Sequence, residues 1–224
     1  FINWKPCDSV AELHRVPWFP AWGIRLPDPV SDPAEIIAIF NEWRPSERWL
    51  LLAHDAAASE VHLWTVWHAL RRRESAESMI ANSPDTEFIR LISGTHQIRT
   101  AFKRAGLKEG DSEAWIINLP DFDDGASLRE LEIPRQTFNE ATLDAERLRL
   151  HLKSELLPHR PIPTLEGLAR IGANDGIVDR TNDDMVDVTV DGVVNGPATG
   201  GSEKFLERLE DAFMLHAAMS DLSG

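Results

Sequence analysis

The residues best suited to bind a ligand form one short polar run, Ser93-Gly94-Thr95-His96-Gln97-Ile98-Arg99, which is expected to be a turn that leads into a helix. A helix N-terminus presents free backbone N–H groups and the positive end of the helix dipole, so it favours an anion. Gly94 permits close approach to the backbone, and Thr95 is suited to cap the helix. Gln can read a base edge, His can stack and Arg can hold a phosphate. The run predicts an anion or nucleotide seat; a capped helix with exposed polar residues is the alternative.

The signature motifs of common enzymes are missing from the sequence. It has no phosphate-loop lysine motif, no Gly-x-Gly-x-x-Gly, no Gly-x-Ser-x-Gly and no His-Glu-x-x-His. The histidines at 54, 62 and 68 do not repeat at a spacing that puts them on one helix face, so metal ligation is not expected there. Cys7 has no evident base beside it, which disfavours a catalytic thiol. We therefore expect no catalytic residue, no metal and no cofactor.

Charge is distributed unevenly along the 224 residues. The whole chain carries a net charge of −14, which argues against broad binding of nucleic acid. Residues 60–108 differ, with eight Lys and Arg against five Asp and Glu, so this window is basic and includes the polar run. A local anion site or a solvated helix face would each explain it. No apolar run reaches the ~18 residues of a membrane span, and a single cysteine excludes a disulfide framework, so a cytoplasmic protein is expected.

The elements around the polar run read as strand, helix and strand. Residues 87–92 alternate as a strand, so Arg90 is expected to point outwards. Residues 95–105 have the spacing of an amphipathic helix, and Gly106 is placed to end it. Residues 114–119 form the second strand. About thirty residues in this order predict a βαβ crossover.

The rest of the chain completes an α/β (α+β) fold, a single compact domain with a mixed β-sheet packed by helices. The other predicted elements are a helix after Asp32 up to Pro45, a strand at 49–54, a helix at 57–74, one or two short strands within 127–143, a helix at 145–157 capped by Asp144, and a final helix capped by Ser202. Residues 1–48, rich in Pro and Trp, are predicted to be an extension packed on the domain at 49–219. Residues 158–201, with a hairpin signal at Asp191-Gly192, are predicted to be a surface insertion.

The sequence around the polar run resembles that of a known family. Ile80-Ala81-Asn82-Ser83, the stretch from Glu87 to Ile98, then Ala101-Phe102 and Gly106, resemble the TPRKB-type subunit of the archaeal and eukaryotic KEOPS complex. The resemblance covers about 49–157 and 202–219, and the first 48 residues and 158–201 depart from it. His96 stands where the family usually has arginine, and neutral His would bind phosphate more weakly.

The resemblance implies a non-catalytic subunit of the complex that places the threonylcarbamoyl group on tRNA adenosine next to the anticodon. In that family the subunit binds the PRPK-type kinase/ATPase subunit and the single-stranded 3′ CCA end of tRNA. Carried onto this chain, the residues expected to bind tRNA are Asn82, Arg90, Ser93, Gly94, Thr95, His96, Gln97 and Arg99.

The kinase contact is assigned, by the same resemblance, to an apolar stripe on the final helix: Phe205, Leu206, Leu209 and Phe213. The alternative is that this stripe only packs onto the chain's own sheet, as most amphipathic helices do. Two other functions remain open. One is a protein-interaction subunit that does not bind tRNA, and the other is a small-molecule transferase with a phosphate seat at residues 93–99.

Overall fold

A four-stranded antiparallel sheet occupies the middle layer of the computed structural model, which describes residues 16–121, 133–173 and 199–222. In spatial order its strands are β2 (Trp49–Ala53), β3 (Glu113–Asn118), β1 (Ala21–Arg25) and β4 (Glu155–Leu156). In β3, Ile117 lies opposite both Ala21 of β1 and Leu50 of β2. The α+β class predicted from the sequence is confirmed. All described strand pairs are antiparallel, however, so the predicted mixed sheet is wrong for this part of the chain.

Helices cover both faces of the sheet. They are α1 (Pro33–Trp43), α2 (Glu60–Ser75), α3 (Pro84–Ile92), α4 (Ile98–Ala105), α5 (Arg135–His151), α6 (Leu165–Ile171) and α7 (Thr199–Leu222), with a 3-10 turn at His54–Ala56. Alternate strand residues face opposite cores: Leu50 and Leu52 pack with α2, α3, α4, α6 and α7, whereas Trp49 and Leu51 pack with α1 and α5. Burial on both faces explains why β2 is apolar throughout.

The helix boundaries that depend on capping residues follow the sequence closely. The Asp32 carboxylate accepts the Ala34 N–H at 2.8 Å, and Pro33 occupies the first turn of α1. The Ser59 hydroxyl likewise accepts the His62 N–H at 3.0 Å at the start of α2. At the other end of α4, the Gly106 N–H bonds to the Phe102 carbonyl. The predicted helices at these three places are confirmed.

The predicted strand at 87–92 is a helix, so the predicted βαβ crossover is wrong. α3 begins at Pro84, and the acidic Asp85 and Glu87 lie in its first turn, where the helix dipole favours negative charge. Every residue from Glu87 to Ile92 is buried, on all sides of the helix. The buried set includes the charged Glu87 and Arg90 as well as apolar side chains, and the local run of aromatic and β-branched residues is typical of a strand.

The region 133–151 also differs from its prediction. α5 starts at Arg135, so residues 135–143 are helical rather than a strand, and Asp144 lies within the helix, 2.9 Å from Arg147, instead of capping it. Ala141, Ala145 and Leu148 form its buried face, and the helix ends at His151, before Pro158. Residues 122–132 lie outside the described residues.

Within the predicted surface insertion, α6 packs into the core. Leu168 and Ile171 of α6 are fully buried in the same core as α2 and α7. Gly167 lies so close to the 3-10 turn that a Cβ there would be 2.1 Å from the Asp55 carbonyl oxygen. β1 is likewise an interior strand of the sheet, so residues 21–25 are not an addition to a finished domain. The predicted hairpin at Asp191-Gly192 lies outside the described residues, and α7 begins at Thr199, ahead of the predicted cap.

Candidate functional site

The polar run of residues 93–99 joins two helices, at the end of α3 and the start of α4. Gly94, with φ of +63°, takes the left-handed conformation that ends a helix. Its N–H bonds to the Leu91 carbonyl at 3.1 Å, and the Thr95 N–H lies 3.5 Å from the Arg90 carbonyl. This is a Schellman turn, which explains the glycine by helix termination rather than by ligand approach.

Two residues assigned to tRNA binding are buried inside this turn. Arg90 is fully buried; its Nε and one terminal nitrogen donate to the Glu87 carboxylate at 3.0 and 2.6 Å, and the other terminal nitrogen lies 3.3 Å from the Thr95 carbonyl. Ser93, also fully buried, donates its hydroxyl to the Arg90 carbonyl. The predicted outward-pointing Arg90 is wrong because residue 90 lies on a buried helix. Both residues hold the turn in shape from beneath.

The Glu87–Arg90 pair is the electrostatic centre of this support. Burial raises the pKa of Glu87, but the Arg90 hydrogen bonds, the Ala81 N–H and the charges of Arg90 and Arg73 together hold that pKa below its ordinary value. The Ala81 N–H donates to Glu87 at 2.9 Å, so this carboxylate also fixes the segment that leads into α3. Both side chains are ionised at neutral pH, and each forms hydrogen bonds to the other and to the backbone.

The space beside Gly94 is filled by the protein itself. A Cβ on Gly94 would lie 2.0 Å from the His216 Nε2 atom of α7. That Nε2 lies 3.1 Å from both the Ser93 and the Ile171 carbonyl oxygens, so it carries the proton and donates. Burial and the charge of Arg104 lower the pKa of His216, which is therefore neutral at pH 7. Gly94 thus serves the packing of α7, and a phosphate seat at this glycine is not present.

The remaining members of the predicted tRNA site are at the surface. Asn82, His96, Gln97 and Arg99 are exposed, and Thr95 is half-buried. The Thr95 hydroxyl lies 3.3 Å from the Gln97 N–H, and the Thr100 hydroxyl donates to the Gln97 side chain at 3.1 Å. The structure therefore separates the eight predicted residues into an exposed group on the turn and a buried group that supports it.

α4 presents a surface that the sequence reasoning missed. Ile98 and Phe102 lie one helical turn apart and are each 38% exposed, whereas Ala101 and Ala105 form the buried side. Lys103 is exposed beside Phe102. The signal in the sequence was the small size of Ala101 and Ala105: on a helix that packs through alanines, the large apolar residues of the stripe are left partly outside.

Two cations flank this apolar pair. Arg99 and Lys103 are four residues apart and therefore lie on one side of α4. Within the described ranges of the chain, neither forms an ion pair with a carboxylate. Arg104, by contrast, turns inward and lies 3.2 Å from the Ser93 carbonyl. We call Ile98, Arg99, Phe102 and Lys103 the α4 surface; it joins apolar area and positive charge in an otherwise acidic protein.

The stripe on α7 that was assigned to the kinase subunit mostly packs within the domain. Leu209 and Phe213 are 3% and 0% exposed and lie in the core with α2, α3 and α6, so they are not available to a partner. Phe205 packs against the same core, and Leu206 is 38% exposed. Leu215, also on α7, is 60% exposed, more than Leu206. The alternative reading of the stripe, as core packing, holds for Leu209 and Phe213.

A group of possible metal ligands lies elsewhere, at the end of β2. His54, Glu113 and His159 each offer one donor atom, and these atoms all lie within 4.8 Å of one another. His62 and His68, which are near His54 in sequence, both lie on α2 and are not in this group. The second histidine of the group is His159, more than a hundred residues away from His54. Spacing along the chain gave no sign of it.

No protein-family model matches this chain, and no curated protein matches it either. Of the helices that the structure describes, none combines the length and the apolar character needed to cross a bilayer.

Proposed function

We propose that the protein is a non-catalytic, cytoplasmic subunit of a KEOPS-type complex that binds the single-stranded 3′ end of tRNA through the α4 surface and the adjoining turn. The observation that carries the proposal is the pair of exposed apolar side chains, Ile98 and Phe102, bordered by the exposed cations Arg99 and Lys103. An aromatic platform beside positive charge is the usual way in which proteins hold single-stranded nucleic acid.

The energetics favour a short, local contact. Stacking of a base on an aromatic side chain contributes about 1–3 kcal/mol, and each cation adds a phosphate contact that weakens with salt. Phe102 can accept one base, and His96, an exposed residue of the adjoining turn, offers a second ring. The net charge of −14 opposes longer contacts with a polyanion, so binding is limited to a few nucleotides.

The resemblance to the TPRKB-type subunit supports the identity of the ligand. Its motif includes the turn and the start of α4, and the motif positions Asn82, His96, Gln97 and Arg99 are exposed. The buried motif positions, Arg90 among them, hold the turn in shape and cannot touch RNA.

The proposal also includes binding of the PRPK-type kinase subunit through the solvent side of α7. Since Leu209 and Phe213 are in the core, we assign this contact to Leu215, which is 60% exposed. Leu215→Arg should abolish binding of the kinase subunit in pull-down and leave the melting temperature unchanged. Retained binding by the folded variant would remove α7 from the interface.

Fluorescence anisotropy with one labelled tRNA, with and without its 3′ CCA, tests the RNA part. The wild-type chain should lose most of its affinity when the CCA is removed. Phe102→Ala should weaken binding of the intact tRNA by about tenfold, from the loss of one stacked base. Arg99→Glu should weaken it as well and reduce the dependence of affinity on salt.

The matched control is Lys153→Glu, because Lys153 is an exposed cation at the end of α5, on the other face of the sheet from α4. This variant should bind tRNA as the wild type does. Equal affinity for the two tRNA forms, or equal losses from Arg99→Glu and Lys153→Glu, would show that the attraction is not specific to the α4 surface. The chain would then be better described as a protein-interaction subunit.

A further inference from the structure

Three side chains from separate parts of the chain converge beyond the end of β2. His54 opens the 3-10 turn that follows β2, Glu113 is the first residue of β3, and His159 lies between β4 and α6. One donor atom from each lies within 4.8 Å of the other two. Two imidazoles and a carboxylate are a donor set suited to divalent transition metals.

The His54 ring is oriented as a metal-binding histidine would be. Its Nδ1 lies 3.3 Å from the Asp55 carboxylate, which can only accept, so Nδ1 carries the proton and Nε2 keeps its lone pair. This Nε2 is inaccessible to solvent and has no hydrogen-bond partner among the residues that the structure describes. The ring also stacks on Trp115, with 5.3 Å between centroids and 12° between planes. A carboxylate behind a histidine is the common arrangement around protein-bound metals.

One carboxylate oxygen of Glu113 lies near His54, and the other is bound to Arg25. Its Oε1 accepts from Arg25 at 2.8 Å, whereas its Oε2 lies 3.8 Å from the His54 Nε2 atom. That separation is too long for a hydrogen bond. It is close to the distance of about 3.4 Å between two ligand atoms that share a tetrahedral zinc ion. A cation between the two atoms would satisfy both.

His159 is held near them by its neighbour in sequence. The Arg160 side chain binds the Glu60 carboxylate and donates to the Phe19 carbonyl at 2.8 Å, which ties the segment between β4 and α6 to the rest of the fold. The His159 Nδ1 lies 3.4 Å from the Arg160 carbonyl, so its proton is on Nδ1 and Nε2 is left to bind. Its ring meets that of His54 edge-on, at 5.3 Å between centroids.

We propose that His54, Glu113 and His159 bind one divalent transition-metal ion of the zinc class, with the fourth position open to water. The three ligands come from the end of β2, the start of β3 and the segment after β4, so the ion would fasten that segment to the edge of the sheet. This site is independent of the α4 surface, and its existence does not depend on the proposed RNA-binding function.

The test is isothermal titration of Zn²⁺ alone into the full-length, metal-free chain, with the melting temperature recorded in zinc and in EDTA. One ion should bind per chain and raise the melting temperature. His159→Ala, which removes an exposed ligand, and Glu113→Gln, which keeps the shape of the side chain, should each weaken binding by at least tenfold. Co²⁺ in place of Zn²⁺ should give the intense visible absorption of a four-coordinate site.

His96→Ala is the matched control, since His96 is an exposed histidine that belongs to the α3–α4 turn. It should leave the zinc affinity unchanged. The proposal is overturned if the wild type binds no zinc, or if His159→Ala binds as tightly as the wild type, which would place the ion elsewhere in the chain. In the first case the three side chains meet only through the His54–Asp55 contact and the packing of the His54 and His159 rings.

Discussion

Substitution of Arg90 distinguishes clearly between two roles for this residue, direct contact with RNA and structural support of the turn. In the structure it is fully buried and donates to Glu87 and to the Thr95 carbonyl. Arg90→Leu would leave Glu87 ionised and buried with only the Ala81 N–H and the more distant Arg73, at 3.9 Å, to compensate its charge. Removing one partner of a buried ion pair costs about 3–5 kcal/mol.

For a domain of this size, each kcal/mol corresponds to about 2–4 °C in melting temperature, so Arg90→Leu should melt about 10 °C below the wild type. The double variant Glu87→Leu/Arg90→Leu removes both charges and should recover at least half of the loss, because similar apolar volume replaces a buried pair at little cost. The Ala81 N–H loses its acceptor in the double variant, which prevents full recovery.

Differential scanning calorimetry of the three proteins at pH 7, with tRNA anisotropy on the same samples, decides the question. If Arg90→Leu melted with the wild type and had lost tRNA affinity, Arg90 would be an RNA contact and the buried position would be wrong. If the double variant melted as low as the single one, the loss would come from packing rather than from an unpaired charge.

Five further variants test the same fold. Gly94→Ala should lower the free energy of unfolding in urea by more than about 3 kcal/mol, since it combines a positive φ with a Cβ only 2.0 Å from the His216 imidazole. Gly110→Ala, at φ +89° with nothing within 4 Å, should lower it by only about 1–2 kcal/mol. Equal losses in the two variants would contradict the close packing at Gly94. Burial lowers the pKa of His62 to about 3, so the unfolded chain takes up a proton below about pH 6.5 that the folded chain refuses. Stability should fall towards acid by up to about 1.4 kcal/mol per pH unit, and His62→Asn should flatten that slope, an effect read from urea midpoints between pH 7 and 5. Leu209→Arg should prevent cooperative melting, whereas Leu215→Arg should melt as the wild type does.

Much of the fold was predictable from local signals, and the failures have a common physical cause. The Asp32 cap, the Gly106 helix end and the apolar run of β2 involve residues that are neighbours in sequence. The strand predicted at 87–92 failed because residues 88–92 are rich in β-branched and aromatic types, whereas the helical period is visible only in a longer window, in which Thr86, Glu87 and Arg90 share one side of α3. Ser83-Pro84 followed by acidic residues is the local sign of this helix start.

The candidate site, like the fold, could be predicted only where it depends on residues that are close in sequence. Exposed members such as Gln97 and Arg99 were identified from residue type and position, because a short polar run next to a helix is a local feature. The burial of Arg90 and the filling of the space beside Gly94 by His216 depend on helix–helix packing, which spacing does not encode. The exposure of Phe102 had a weak local signal, since α4 packs through the small residues Ala101 and Ala105.

The order of the strands has a consequence for synthesis on the ribosome. β1 and β2 do not pair with each other; both pair with β3, which begins at Glu113. At about 5–20 residues per second, the completed β2 waits several seconds for its first partner strand. During that interval its apolar residues Trp49–Ala53 form an unpaired edge, which is the kind of segment that aggregates. Newly made chains should therefore depend on chaperones until β3 has emerged, and expression at reduced translation speed should lower the soluble yield.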